Sequence, residues 1–373
     1  MRPPGRAYNP PMSRRRVAAW ILGAAAALLA ALVVLVRLTT FHPPPVQDEP
    51  VTCPGTAPSL VPGQPLRVLT WNVQFMAGKD HVFFFDLLDG SGPDERPSPD
   101  DIARTLGEVA RVLRDEAPDV VLLQEVDDGA ARTDRQDQLR ALLDRLPPGA
   151  FPCRASAFYW RAAYVPHPRI HGAVGMKLAV LSRYRIATAV RHQLALMPQD
   201  LLTRQFNVRR AVLEARLPVQ GGGTFAVLDT HLDAFAQGSD TMARQVRQVD
   251  AIVSALSSSG VAWVVGGDFN LLPPGGAYDL LAPAQRAYFN PRTEAALLFD
   301  RHQAVPSREE VNGPERARWF THFPNDPSVG KPDRTIDYLF LDRRVRLGAH
   351  HVRQADAARI SDHFPVVADL RIP

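Results

Sequence analysis

The sequence predicts an α/β fold, a layered sandwich built on a mixed sheet, with one membrane-crossing helix ahead of it. Three observations carry that prediction. Helix-like and strand-like stretches alternate through the first half of the chain, which is how βα units are written. Antiparallel strand pairs become common in the second half, the clearest being two runs joined through the glycines at 221–223. Ahead of both lies an uncharged run of 20 residues, 17–36.

At about 1.5 Å rise per residue that run makes a helix about 30 Å long, one bilayer core. Arg14, Arg15 and Arg16 precede it and Arg37 closes it. It is longer than the core of a usual signal peptide, and no small-x-small cleavage site follows. It reads as an uncleaved, single-pass signal anchor. The arginines place the basic tail, residues 1–16, in the cytoplasm and everything after Arg37 outside it. A cleaved signal peptide, the alternative, leaves the remaining chain on the same side.

This anchor accounts for the charge. The chain is +4 overall, but residues 1–40 hold six arginines and no Asp, Glu or Lys. The rest carries 37 basic against 39 acidic residues. The totals therefore lack the basic surface that a protein tracking a polyanionic backbone usually shows. Residues 37–65 read as a Pro-rich extended linker, with eight prolines between 38 and 66. The folded domain is expected over 66–373, as a monomer. Cys53 and Cys153 are the only cysteines, and outside the cytoplasm a disulfide between them is reasonable; two unrelated thiols are the alternative.

Within the domain, residues 68–73 read as a strand, followed by a long loop carrying the run HVFFFDLL at 81–88. Ser98 caps a helix that has Pro99 in its first turn and Ile102, Leu106, Val109 and Leu113 at helical spacing. Residues 119–126 form a buried strand, and 136–146 suggest a second helix. Strands are expected at 175–186, 206–217 and 224–232, a helix at 241–256, and strands at 335–341 and 364–372. Residues 273–276 and 307–316 read as loops.

Residues 261–270, VAWVVGGDFN, are the stretch around which the chemistry gathers. An apolar strand runs into Gly266 and Gly267 and then into Asp268 and Asn270. If the backbone stays extended there, both side chains point the same way. Other polar residues stand at strand ends: Asn72, Glu125, Asp229 and His231, Asp337, and the pair Asp362 and His363. Each alone reads as a turn former, a cap, a satisfied core histidine or an ion-pair partner. As a set they match what a metal-assisted hydrolase requires. Carboxylate oxygens suit a hard divalent cation, a carboxylate or imidazole orients water, and further donors meet phosphoryl oxygens.

At these residues the sequence resembles the endonuclease/exonuclease/phosphatase (DNase I-like) superfamily. The matching motifs are TWNVQ, LLQEV, LSRYRI, DTHLDA, GGDFN, PDRTIDYLFL and SDHFPV, in family order from residue 66 to the end. The resemblance implies a four-layer α/β/β/α sandwich with the site at one edge of two packed sheets. It implies Mg2+, with Mn2+ as the alternative, held by Glu125 with Asn72 beside it and with Asp362 as a further ligand. Asp268 would orient or deprotonate water, and Asn270 and His231 would hydrogen-bond the phosphoryl oxygens. His363 would be a second phosphate-contacting or acid–base group, oriented by Asp337 or Asp362. The motif around His231 more often begins with Asn. Asp229 there would bind a second cation, pair with Arg209 or Arg210, or make the site less tolerant of phosphate monoesters. Arg204, Arg209 and Arg210 read either as phosphate clamps or as the solvated ends of a strand.

The motifs specify chemistry better than substrate. The anchor and the near-neutral domain favour a phosphodiester in the membrane, a lipid headgroup of the sphingomyelinase-like or GPI-lipid-remodelling kind. Phe83, Phe84 and Phe85 either dip into lipid or belong to the core. A nuclease on DNA or RNA is the second reading, and a non-catalytic anchored phosphate-binding module the third.

Overall fold

The structure is a computed structural model. It describes residues 13–84, 86–87, 89–234 and 236–373. The first twelve residues of the basic tail, Phe85, Leu88 and residue 235 lie outside the described residues.

In chain order the chain forms α1 (Arg14–Thr39), β1 (Val46–Glu49), β2 (Val51–Thr52), β3 (Pro65–Asn72), α2 (Pro99–Glu116), β4 (Val120–Asp127), α3 (Gln138–Leu143), β5 (Cys153–Val165), β6 (Gly172–Ser182) and β7 (Thr188–Gln193). There follow α4 (Thr203–Phe206), β8 (Ala211–Val219), β9 (Gly223–His231), α5 (Thr241–Ser258), β10 (Ala262–Asp268), β11 (Gln303–Val305), β12 (Asp337–Leu341), β13 (Arg346–Val352) and β14 (Val366–Arg371). They build two seven-stranded sheets, ordered β13-β14-β3-β4-β6-β5-β2 and β1-β7-β8-β9-β10-β12-β11. Both are mixed: β3 runs parallel to β4 and β9 parallel to β10, while the other pairs are antiparallel. The four-layer α/β/β/α sandwich is present.

Alternation along the strands separates the layers. In β3, Leu66 and Val68 face the other sheet and meet Leu122, Val264 and Leu339. Leu69 and Trp71 face outward, under Ile102, Leu106, Val109 and Leu113 of α2. That helix begins as predicted, with the Ser98 hydroxyl accepting the Asp101 N–H and Pro99 in the first turn. On the opposite face, Val246, Val249 and Val253 of α5 cover Leu228, Val265 and Phe340.

Several expectations change. Residues 37–65 do not form a free spacer. β1 extends one sheet beside β7, β2 extends the other beside β5, and Leu60 is fully buried between them. Cys53 and Cys153 are disulfide-bonded, fixing β2 to the start of β5. The expected strand at 206–217 starts only at Ala211, because α4 occupies 203–206 and Asn207 to Arg210 form a connecting segment. The polar stretch at 307–316 contains the helix Arg308–Asn312, nucleated by a Ser307–Glu310 capping box. Phe83 and Phe84 are buried against Phe75 and Ala77, so the core reading holds for those two. The helix α1 buries none of its side chains and is long and apolar enough to cross a bilayer.

The glycines of β10 serve packing. A Cβ on Gly266 would lie 2.5 Å from Leu339 and 2.9 Å from Leu122, inside the seam between the sheets. Gly267 has φ +146° and its Cβ would meet the Thr230 carbonyl oxygen at 1.8 Å. The two glycines let β10 sit close to β9 and to the facing sheet. That closeness brings the ends of β3, β4, β9, β10 and β12 to one edge.

Candidate active site

Asp268, at the end of β10, is the centre of that edge. It is buried, and its Oδ2 accepts from Asn72 Nδ2 at 3.1 Å. The same oxygen lies 3.3 Å from His231 Nε2 and 3.6 Å from His363 Nε2. Its Oδ1 accepts the Asn270 N–H at 2.9 Å. Burial pushes this carboxyl up to about 6, with His363 pulling the other way.

The two histidines beside it differ in charge. His363 Nδ1 lies 3.0 and 2.9 Å from the two Asp337 oxygens. Burial disfavours its charged form, but Asp337, Asp268 and Asp362 outweigh that and hold it well above the ordinary imidazole value. His231 has a more distant carboxylate behind it, Glu125 Oε1 at 3.9 Å from Nδ1. Burial, Arg210 and His363 push it well below the ordinary value. A neutral His231 donates from Nε2 toward Asp268, which leaves Nδ1, 3.3 Å from the Tyr159 hydroxyl, as the acceptor. Of the two carboxylates expected to orient His363, the geometry selects Asp337.

Glu125 reaches the site through a backbone irregularity. The register of β4 against β6 shifts between Leu123 and Val126, and Glu125 has φ +59°. Such a bulge re-aims one side chain out of the alternating pattern, and a positive φ at a non-glycine residue concentrates at functional sites. Glu125 Oε1 accepts from Asn72 Nδ2 at 3.0 Å. Burial and then the Asp362 charge raise its pKa. Asp362 is half-buried; desolvation opposes its charge, yet His363, His322 and Lys79 outweigh it and hold it at about 2.

Glu125, Asp268, Asn270, His231, Asp362, His363 and Arg210 line one cavity of about 150 Å3. A hard divalent cation suits its acidic side, where the carboxylates of Glu125 and Asp362 face one space and the imidazole of His322 stands 3.7 Å from Asp362. Glu125 and Asp362 are the residues that would hold it, with Asp86 facing the same space. Asn72, expected as a ligand, stands directly beside Glu125. Its Oδ1 accepts the Gln74 N–H at 3.0 Å, and it turns its NH2 toward Glu125 and Asp268. Asn72 thus spaces two carboxylates.

Asn270 is at the site for a different reason from the one expected. The chain is not extended there: Asn270 has φ +51°. Its side chain reaches the cavity while Nδ2 donates to the Leu232 carbonyl at 3.2 Å. Arg210 also lines the cavity. Its Nε donates to Asp233 at 3.2 Å, and Nη1, buried, has no partner among the described residues. Arg209 does not reach the cavity; its Nη2 contacts His42 Nδ1 and the Arg204 carbonyl, each at 3.3 Å. Asp229 is not a substrate contact either. It is fully buried between the sheets, accepting from Gln124 Nε2 at 2.6 Å and the Ala179 N–H at 3.2 Å. Burial raises its pKa well above the usual carboxylate range, and it pairs with neither arginine.

Three site residues have no counterpart in the sequence expectations. His322 Nε2 is 3.7 Å from Asp362, and its ring centroid is 4.4 Å from that of His363. Burial and the His363 charge push it down to about 3. Asp86 accepts from Asn325 Nδ2 at 3.1 Å and the Phe83 N–H at 2.9 Å; burial and then Asp362 push it up to about 8. The THFPND run at 321–326 was the available signal for His322 and Asn325, a histidine after a polar loop and before proline. Asp86 is a lone carboxylate inside an aromatic run and offers no such signal.

A mixed double sheet with acids, histidines and amides at one edge defines a phosphoester hydrolase. The model of the endonuclease/exonuclease/phosphatase family matches residues 69–363. The chain belongs to that family, whose members are metal-dependent phosphoester hydrolases. Among solved structures, it is similar to the endonuclease/exonuclease/phosphatase from Beutenbergia cavernae, with 25% identity and a TM-score of 0.54, over 83% of this chain and 72% of that one. It is also similar in fold to the human Nocturnin catalytic domain, with 16% identity and a TM-score of 0.51, over 82% of this chain and 93% of that one. No protein of curated function matches its sequence.

Proposed function

We propose that the chain is a membrane-tethered, Mg2+-dependent phosphodiesterase facing outside the cytoplasm and acting on lipid headgroups. The single observation that carries the chemistry is the placement of Asp268 Oδ2 among Asn72 Nδ2, His231 Nε2 and His363 Nε2 in one buried pocket. A bound cation would supply charge for the phosphoryl oxygens and would sit on Glu125 and Asp362. Asp268 orients the attacking water and takes its proton, for which a pKa near neutrality suits it. Asn270 and the free Nη1 of Arg210 donate to phosphoryl oxygens as charge grows there, while neutral His231, its one N–H turned to Asp268, holds that carboxylate in place. Charged His363, held by Asp337, stabilises the same charge and supplies a proton to the departing alkoxide. Water oxygen bonds to phosphorus, the ester oxygen leaves, and the alcohol and phosphomonoester part.

The tether favours lipid. Helix α1 ends at Thr39, and Thr40 forms a backbone bridge to Ala162 of β5, so the domain is held directly against the end of its anchor. Its net charge near neutrality gives no extended basic track for DNA or RNA. The intact set of Glu125, Asp268 and His363 argues against a binding-only module.

The test uses the full chain reconstituted in vesicles with Mg2+. Sphingomyelin, phosphatidylinositol, plasmid DNA and inositol phosphates are offered in turn. Headgroup release from a lipid faster than cleavage of any other substrate supports the reading. DNA cleaved faster than every lipid replaces it with the nuclease, and inertness with every divalent metal replaces it with the binding module.

A further inference from the structure

Beside the reaction pocket lies a larger cavity, about 520 Å3, that this chemistry does not use. Its size is that of a small-molecule site. Its walls are mostly apolar, contributed by Phe84, Trp160, Ile170, Met176, Met197 and Phe206. Its polar end is the reaction pocket itself: Asp86, Glu125, Arg210 and Asp362 line both. Of the cations in its wall, Arg132 is committed to Asp127 at 2.8 Å, and Arg210 pairs with Asp233 through Nε only. An elongated space with one charged end and one apolar end has the shape of an amphiphile.

Its position relative to the anchor is the second observation. Trp160 and Val165 of β5 line the cavity, and Ala162 of the same strand carries the bridge to Thr40. At about 3.3 Å per strand residue, the cavity wall lies within about 10 Å, along the strand, of the point where the anchor joins. Leu202 lines the opening while 66% exposed, and Leu201 beside it is 78% exposed. Large exposed leucines at the opening of an apolar cavity next to a membrane helix mark a side that meets lipid.

We propose that this cavity is the subsite for the aliphatic chain of the substrate. The substrate is then an amphiphilic phosphodiester whose chain lies between Trp160, Met176 and Phe206 and whose phosphate lies against Glu125, Asp268 and His363. The assignment rests on the phosphodiesterase reading and narrows it: soluble nucleotide and inositol esters leave the larger cavity empty.

The test uses the full chain in lipid nanodiscs and a series of p-nitrophenyl alkyl phosphodiesters, from methyl to octyl. kcat/KM is expected to rise about fourfold per methylene until the cavity is filled, as for burial of each CH2. Val208→Trp, which fills the cavity, is expected to flatten that rise; Met197→Trp, from another wall, repeats the test should the first variant misfold. A flat series in the unaltered protein, with the methyl diester turned over, overturns the chain subsite and leaves the phosphodiesterase standing. A rise that both filling variants keep also overturns it, since the chain then binds elsewhere. Inertness toward every member sinks the phosphodiesterase reading and this assignment with it.

Discussion

Asp337→Asn isolates the interaction on which charged His363 depends. Both Asp337 oxygens lie within 3.0 Å of His363 Nδ1, and both residues are buried. Opposite charges about 4 Å apart interact by about 4 kcal/mol at an effective dielectric of about 20. The asparagine oxygen still accepts from Nδ1–H and retains about 1 kcal/mol as a neutral hydrogen bond. The charged imidazole therefore loses about 3 kcal/mol, or about two orders of magnitude in rate at about 1.4 kcal/mol per tenfold. The substitution conserves shape, so KM for a small diester should stay within about threefold. The assay is steady-state hydrolysis of bis-p-nitrophenyl phosphate in saturating Mg2+, with the thermal midpoint measured on the same preparation. A kcat within about threefold of the unaltered enzyme, at an unchanged midpoint, would refute the role given to the Asp337–His363 pair.

Four further outcomes follow from the same structure. Asp268→Asn and His363→Ala should each abolish turnover of that diester while the folded circular dichroism spectrum survives; full activity in either sinks its assignment. Glu125→Gln should remove the rise in thermal midpoint that millimolar Mg2+ gives the parent, because only a ligand that binds the folded state stabilises it; an undiminished shift would place the ion elsewhere. Asp229→Asn should leave kcat within about threefold, since burial already disfavours its charge and the amide can donate to Gln124 Oε1, which lacks a partner; a hundredfold loss would return Asp229 to the site. Glu214 accepts from Arg216 Nε at 2.6 Å and meets His192 Nε2 at 2.9 Å; burial opposes the charge, but these partners depress its pKa below the ordinary 4.5. A depressed carboxylate stabilises the fold above its unfolded pKa and loses that as pH falls through the folded value. Glu214→Gln should therefore cost about 2 kcal/mol at pH 7, shrinking below about pH 4; a penalty that persists at pH 3 contradicts the linkage.

What could be read from the sequence divides along a physical line. Buried central strands were legible, because β4, β9, β10 and β12 are short apolar runs whose polar ends are conspicuous. Helix α2 was legible through its cap and its spacing. The edge strands were not. β1 and β2 lie in a Pro-rich stretch, and their pairing depends on partners far along the chain, β7 and β5. β5 itself, thirteen residues long, has no counterpart among the expected elements. The site shows the same division. Asp268, His231, Asp337, His363, Glu125 and Asp362 stand at strand ends and meet there. Arg209 and Arg210 are adjacent in sequence, yet one faces the linker and the other the cavity, and no local pattern separates them.

The two residues that sequence reasoning placed by assuming extended backbone show why the site works as it does. Asp268 ends β10, and Asn270 should then share its direction by alternation. Instead Asn270 adopts φ +51°, and its N–H turns back to hold Asp268 Oδ1. Glu125 likewise leaves the alternation of β4 at φ +59°. A regular strand would point every second side chain into the packed seam, where Asp229 is indeed held, between the sheets. Departure from the regular strand is what takes Glu125 and Asn270 out of the seam and into the cavity. Residues that keep the pattern reach the cavity only at the very ends of their strands, as His231 and Asp268 do; those further back become core. The same rule accounts for Asp229, whose carboxylate stands two residues before His231 yet never reaches the reaction pocket.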